Sequence, residues 1–187
     1  MKVPLNYKNL KFFLIPIILF SSPFLNNIQE SKAGLEFQWD QNSGHRRLKW
    51  LQKQTKRNFR NKIYFFLRPF DRKSDLLKIN LAIPKSFKSN LKKEKISFCK
   101  VSIGGFEGRT KCIEDIPADI EINTDESSLR SINIYPYQPI PSNKDSYSIV
   151  LKVFNPKRSG LYQFHSYGQP KGKSVSSYLG SWTIVID

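Results

Sequence analysis

The side chains with the greatest capacity for chemistry lie between His45 and Arg72. They are Arg46, Arg47, Lys49, Lys53, Lys56, Arg57, Arg60, Lys62, Arg68 and Arg72, with Asp71 the single acid among them. Arginine presents paired donors that match phosphate and carboxylate geometry, and lysine adds compact positive charge. Trp50, Phe59 and Tyr64 are interleaved with these cations and offer ring faces that stack on sugars or bases. The segment is the best candidate for contact with an anionic polymer or surface. Arg46 and Arg47 beside Trp50 form the first contact group, extended by Lys49, Lys53, Lys56, Arg57 and Arg60. The competing reading is a solvated face whose aromatics pack on the rest of the fold.

The other reactive residue types are sparse. Cys99 and Cys112 are the only cysteines, and turn-forming Gly104-Gly105-Phe106-Glu107-Gly108 lies between them. An even count in an exported chain points to a disulfide, closed as two strands fold back on one another. Neither cysteine sits in C-x-x-C, so a redox or nucleophilic role is the weaker alternative. The Gly104–Gly108 run lacks the Lys-Ser/Thr ending of a phosphate loop. His45 and His165 have no ligand spacing around them, which leaves a zinc site unsupported. Glu114, Asp115, Asp119, Glu121, Asp125 and Glu126 meet no basic residue, yet lack the alternating ligand arrangement of a calcium loop. No serine sits in G-x-S-x-G. No metal, cofactor or catalytic residue is expected.

The elements that must position these residues begin with an address. Lys2, Lys8 and Lys11 precede the apolar run Phe12–Phe20, and Ser31-Lys32-Ala33 comes after it. Basic start, short apolar core and small-residue cleavage site predict a secretory signal over residues 1–33. The run is short of the roughly 20 residues of a membrane span; left uncleaved, it would tether the domain to a membrane. No cysteine directly succeeds the apolar core, which disfavours a lipid anchor. Export takes away most of the case for nucleic acid as the partner of the basic segment. The chain has 187 residues and a formal charge of +16, so the portion beyond residue 33 has the length of one ordinary domain with a strongly positive field.

Residues 34–61 read as an N-terminal extension. Within it His45–Asn61 is the one helical candidate: Leu48, Leu51, Thr55 and Phe59 fall three and four apart, and Asn42 or Ser43 caps its start. Strands are expected over Ile63–Phe70, Leu77–Ile83, Lys95–Ile103, Ala118–Thr124, Leu129–Tyr135, Tyr147–Phe154, Leu161–Tyr167 and Tyr178–Ile186. Tyr147, Ile149, Leu151 and Val153 share one face, and Tyr178, Trp182, Ile184 and Ile186 another. Short alternating strands split by Pro, Gly, Asn and Ser predict an all-β, antiparallel immunoglobulin-like sandwich over residues 62–187, preceded by a short basic helix or irregular segment.

Several pieces of the chain, in order, carry a resemblance. They are Arg46-Arg47-Leu48-Lys49-Trp50, Leu67-Arg68-Pro69 with Asp71-Arg72, Cys99, and Arg109-Thr110-Lys111-Cys112. The clearest are Asn155-Pro156-Lys157-Arg158-Ser159-Gly160-Leu161-Tyr162-Gln163-Phe164 and Tyr178-Leu179-Gly180-Ser181-Trp182. In these the chain resembles a family of exported cyanobacterial proteins carrying the domain of unknown function numbered 2808. The resemblance implies an exported all-β domain and supplies no activity or catalytic residue. Read on their own residues, Asn155-Pro156 start a turn, Gly160 supplies a permissive φ and Leu161 begins a returning strand, a hairpin connection.

These features favour a non-catalytic envelope module, in the periplasm or cell envelope, whose basic face touches an anionic envelope polymer or membrane surface. A glycan-active enzyme on the same scaffold would need two carboxylates about 5–10 Å apart in a cleft, and Asp71, Asp75 and Glu107 are the unassigned acids. A third reading is an assembly subunit that pairs through an edge strand.

Overall fold

A computed structural model gives the fold, describing residues 46–105 and 108–187. Among them, ten strands run in chain order: β1 (Trp50–Gln52), β2 (Arg60–Leu67), β3 (Leu76–Ile83), β4 (Ile96–Ser102), β5 (Lys111–Asp115), β6 (Ala118–Thr124), β7 (Arg130–Pro136), β8 (Tyr147–Phe154), β9 (Gly160–Pro170) and β10 (Ser177–Ile186). They form two antiparallel five-stranded sheets, ordered β1-β2-β8-β4-β5 and β10-β9-β3-β7-β6. The expected immunoglobulin-like β-sandwich is therefore the architecture.

Period-two alternation builds the layer between the sheets. Ile63, Phe65 and Leu67 of β2, Tyr147, Ile149, Leu151 and Val153 of β8, and Trp182, Ile184 and Ile186 of β10 all point into one buried cluster. Its centre is aromatic, with the Phe65 ring 4.9 Å from both Phe164 and Trp182 and Phe87 5.0 Å from Phe164. The Trp182 indole N–H donates to the Lys49 and Phe66 carbonyls at 3.0 and 3.2 Å. That contact ties the approach to β1 onto the core. On the other face of the first sheet, Tyr64, Phe66, Cys99, Val101 and Val150 make a second buried cluster. β2 is consequently buried on both faces, and Ile63–Leu67 reads as an unbroken apolar run.

Four sequence readings are corrected by this arrangement. The helix expected over His45–Asn61 does not form in its described part: Trp50–Gln52 is a strand paired with Ile63–Phe65, and turns come after it. Leu48 is buried against Gly180 of β10 while Phe59 is exposed, so the three-and-four spacing is not one helical face. The caps expected for that helix lie outside the described residues. Tyr178 does not share a face with Trp182, because a bulge between Tyr178 and Gly180 shifts the register by one residue and turns the tyrosine outward. The connection Asn155–Gly160 is not a hairpin, since β8 and β9 belong to different sheets and the segment crosses between them. Tyr64, expected as a stacking surface, is buried.

Cys99 and Cys112 form the expected disulfide, joining the facing strands β4 and β5 with their Cα atoms 5.7 Å apart. The loop between them is braced where the Gly104 N–H donates to Thr110 Oγ1 at 2.9 Å.

Candidate anion-binding site

The basic segment divides into a held part and a displayed part. Arg46 reaches back to Asp71 at 3.4 Å and donates to the Phe70 carbonyl. Asp71 is buried and also takes Arg68 Nε at 3.0 Å and the Arg68 backbone N–H at 2.8 Å. Arg47 lies over the Trp50 ring at 5.1 Å, and Trp50 itself is half-buried against the core. Lys49 has an exposed side chain, but its backbone carbonyl accepts from the Trp182 indole and from the Phe66 N–H. This end of the segment mainly joins β1 to β10.

The displayed part is the turn from Lys53 to Phe59, whose backbone is fixed from several sides. Asn61 Oδ1 accepts from the Lys53 and Gln54 N–H groups, each at 3.1 Å. Asn155 is buried, and its side-chain amide donates to the Gln54 and Lys56 carbonyls at 3.1 and 2.8 Å. Its oxygen accepts from Asn61 at 2.9 Å. The Arg57 N–H donates to the Asp187 backbone, and the Asp187 N–H donates to the Thr55 carbonyl. Asn58 occupies the left-handed region at φ 59°, a conformation asparagine tolerates better than most residues. With its backbone so held, the turn projects Lys53, Lys56 and Arg57 into solvent.

Beside this turn the strand pairing assembles a cleft. Arg60 is opposite Phe154, and Ile96 is opposite Leu151 on the far side of β8. That register places Arg60, Lys152, Lys92 and Lys95 around one cleft of about 490 Å³, floored by Val153 and Phe154 with Asn61 and Asn90 in its wall. No acidic residue lines it. The Arg60 guanidinium lies 5.5 Å from the Phe154 ring centre, which pre-sets the cation over an apolar base. Ser89 Oγ donates to the Phe154 carbonyl at 2.7 Å, and Arg130 donates to the Ser89 and Phe87 carbonyls. Burial lowers the pKa of Arg130. These bonds hold the loop that carries the lysines. A neighbouring depression adds Lys88, Lys157 and Arg158 around Tyr162. Cations converging on a cleft with no acid in its lining make it suited to anions.

Sequence reading names Arg60, Lys53, Lys56 and Arg57 but expects a helix where the turn lies, and it does not find Lys92, Lys95, Lys152 or Phe154. The Lys92-Lys93-Glu94-Lys95 run is visible as charge; its place beside Arg60 arises from the pairing of β2 and β4 to opposite sides of β8. The acids weighed for glycan chemistry are engaged elsewhere. Asp71 is held by two arginines, and Asp75 accepts from the Ser142 N–H and hydroxyl at 2.8 and 3.1 Å. Hydrogen bonding from Ser142 keeps the Asp75 carboxyl below the ordinary carboxylate range. Glu107 and His45 lie outside the described residues. His165 faces outward on β9, its Nδ1 2.7 Å from Ser181 Oγ, which also meets the Tyr178 hydroxyl at 2.6 Å. Among the described residues no group of three or more His, Cys, Asp or Glu gathers where a metal could bind, and no helix is long and apolar enough to cross a membrane.

Comparison with known proteins gives a family and a fold. The family model described as "Protein of unknown function (DUF2808)" matches residues 39–186. No curated protein matches the chain. Among solved structures, it is similar to BslA, a bacterial hydrophobin, at 12% identity and a TM-score of 0.43, covering 75% of this chain and 97% of that one. It is also similar to the collagen-binding domain of a Staphylococcus aureus adhesin, at 12% identity and 0.39 over 74% and 95% of the two chains. The collagen-binding subdomain of the Enterococcus faecalis surface protein ACE gives 11% and 0.41 over 74% and 95%.

Proposed function

Because the chain belongs to that family of unknown function, which supplies no activity to carry over, we propose from its own side chains that it is an exported, non-catalytic envelope module. Its basic end binds an anionic glycan polymer of the envelope. The observation that carries this reading is the convergence of Arg60, Lys92, Lys95 and Lys152 on one cleft with no acid in its lining. A polymer bearing sulfate, phosphate or uronate groups supplies the matching charge at repeated spacing, and its sugar faces suit Phe154 and the exposed ring of Phe59. The Lys53–Arg57 turn extends the positive surface beyond the cleft, so one chain engages several anionic groups at once. The Cys99–Cys112 disulfide supports an oxidising compartment, as the basic and apolar N-terminal residues support export.

The test is co-sedimentation of the protein with envelope fractions from its own cells, at low and at high salt. Retention is expected to weaken steeply as salt screens the cations. The triple variant Lys92→Gln, Lys95→Gln and Lys152→Gln is expected to bind about ten- to a hundredfold more weakly, since each tenfold is about 1.4 kcal/mol and several charge contacts are lost. Salt-insensitive retention unchanged by the triple variant overturns the reading. Equal binding to vesicles of anionic lipid moves the partner from glycan to membrane surface.

A further inference from the structure

Charge is segregated across the width of the sandwich as well as at its basic end. β5 and β6 are the outer strands of their sheets, and the short Ile116-Pro117 connection joins them, so both lie along one lateral edge. That edge carries Glu114, Asp115, Asp119 and Glu121, all exposed, with Lys111 the one cation on either strand. Ile113 on the same edge is 61% exposed. The opposite lateral edge is formed by β1 and β10, which the bonds between residues 46–48 and Ser181 draw together. It presents Arg47 and Lys49 to solvent, with Val185 exposed beside them. Among the described residues β5 and β6 each pair on one side only, and such an edge invites another chain. On the opposite side Ser181 is already bonded to residues 46–48 and Asp187 to residues 55 and 57, so that surface offers side chains and not a free strand. Here the two edges are complementary in charge, and each adds an exposed apolar residue.

We propose that copies of this chain associate head to tail, the acidic β5/β6 edge of one against the basic β1/β10 edge of the next. Such a contact is heterologous: it uses two different surfaces, leaves one of each free at the ends and propagates along a row. It is separate from the polymer-binding cleft, whose Lys92, Lys95 and Lys152 stand at the end of the sandwich. A row of copies would therefore present that cleft repeatedly to a polymer, multiplying weak contacts.

The test is sedimentation velocity of the protein in the form its own cells make, at rising concentration in about 20 mM and about 300 mM salt, on either side of a screening length of about 10 Å. At low salt the mean mass is expected to climb with concentration, and at high salt to stay near one chain. Asp119→Lys with Glu121→Lys, or Arg47→Glu with Lys49→Glu, is expected to leave single chains. An equimolar mixture of the two double variants is expected to associate again, because each retains one native edge; a general change in net charge does not give that recovery. A wild-type chain that stays single at every concentration overturns the proposal. So does a double variant that associates as wild type does, or a mixture that fails to recover.

Discussion

Asn155 links the family-like Asn155–Phe164 stretch to the candidate site. Its side chain satisfies two carbonyls of the basic turn and the Asn61 amide from a buried position. Asn155→Ala strands those groups and is expected to cost about 2–3 kcal/mol, read as a lower urea midpoint. Polymer binding is expected to fall with it, because the turn that displays Lys53, Lys56 and Arg57 loses its anchor. The Cys99–Cys112 bridge acts through the unfolded chain, closing a loop with a sequence separation of 13. Cys99→Ala with Cys112→Ala is expected to lose about 3 kcal/mol in the chain-entropy account, by the same measurement. A pH signature comes from the 2.8 Å bridge between Lys100 and Asp145. Their hydrogen bond holds the Asp145 carboxyl below its ordinary range and raises the Lys100 pKa. The Asp145 contribution to stability is present above the unfolded carboxylate pKa of about 3.9 and is lost as pH falls through the lower folded value. The Lys100 contribution is full below about 10.4 and is lost as pH rises through the higher folded value. Thermal unfolding of Lys100→Met and wild type should therefore differ most near neutral pH and converge at both extremes.

At the scale of elements, Gly180 decides how the two lateral strands meet. Its φ is +146°, and an added Cβ would lie 2.7 Å from the Arg46 carbonyl oxygen and from Leu48 Cγ. Gly180→Ala is expected to push residues 46–48 off β10 and destabilise by about 2–4 kcal/mol, combining backbone strain with overpacking. The resulting loss of protection should appear in hydrogen exchange at Leu48 and Ser181, whose N–H groups form the bonds between these segments. The same elements show what the sequence could reveal. Ala118–Thr124 and Tyr147–Phe154 are legible to the residue: the first alternates strictly between Pro117 and Asp125, and in the second Tyr147, Ile149, Leu151 and Val153 keep period two up to the turn-forming Asn155. β1 is not, since three residues are too few to display a period and the spacing of Leu48, Leu51, Thr55 and Phe59 imitates a helix. β5 was hidden because its Ile113 faces solvent and its neighbours are charged. The bulge at Tyr178–Gly180 and the crossing of Asn155–Gly160 between sheets are tertiary facts, set by which strands become neighbours. So is the cleft: Arg60 and Lys95 are far apart in sequence, and only β8 between them makes them one surface.

At the scale of the molecule, the fold turns a blockwise charge pattern into directional surfaces. The basic segment is distributed between a β1 edge that is bonded into the sandwich and a turn that displays its cations at the end. Glu114, Asp115, Asp119 and Glu121 of the acidic stretch lie along the far lateral edge, while Asp125 and Glu126 stand in the connection from β6 to β7. A chain of formal charge +16 attracts polyanions by its field alone, so a general attraction must be separated from a built site. The most direct measurement is titration calorimetry of a sulfated dextran into wild type, into Lys92→Gln/Lys95→Gln/Lys152→Gln, and into a control of equal charge loss, Lys73→Gln/Lys111→Gln/Lys144→Gln. The cleft reading predicts that the first triple variant loses about tenfold or more in affinity, the equivalent of about 1.4 kcal/mol, while the control stays close to wild type. Equal losses in the two variants would contradict it and leave the net charge as the whole of the effect.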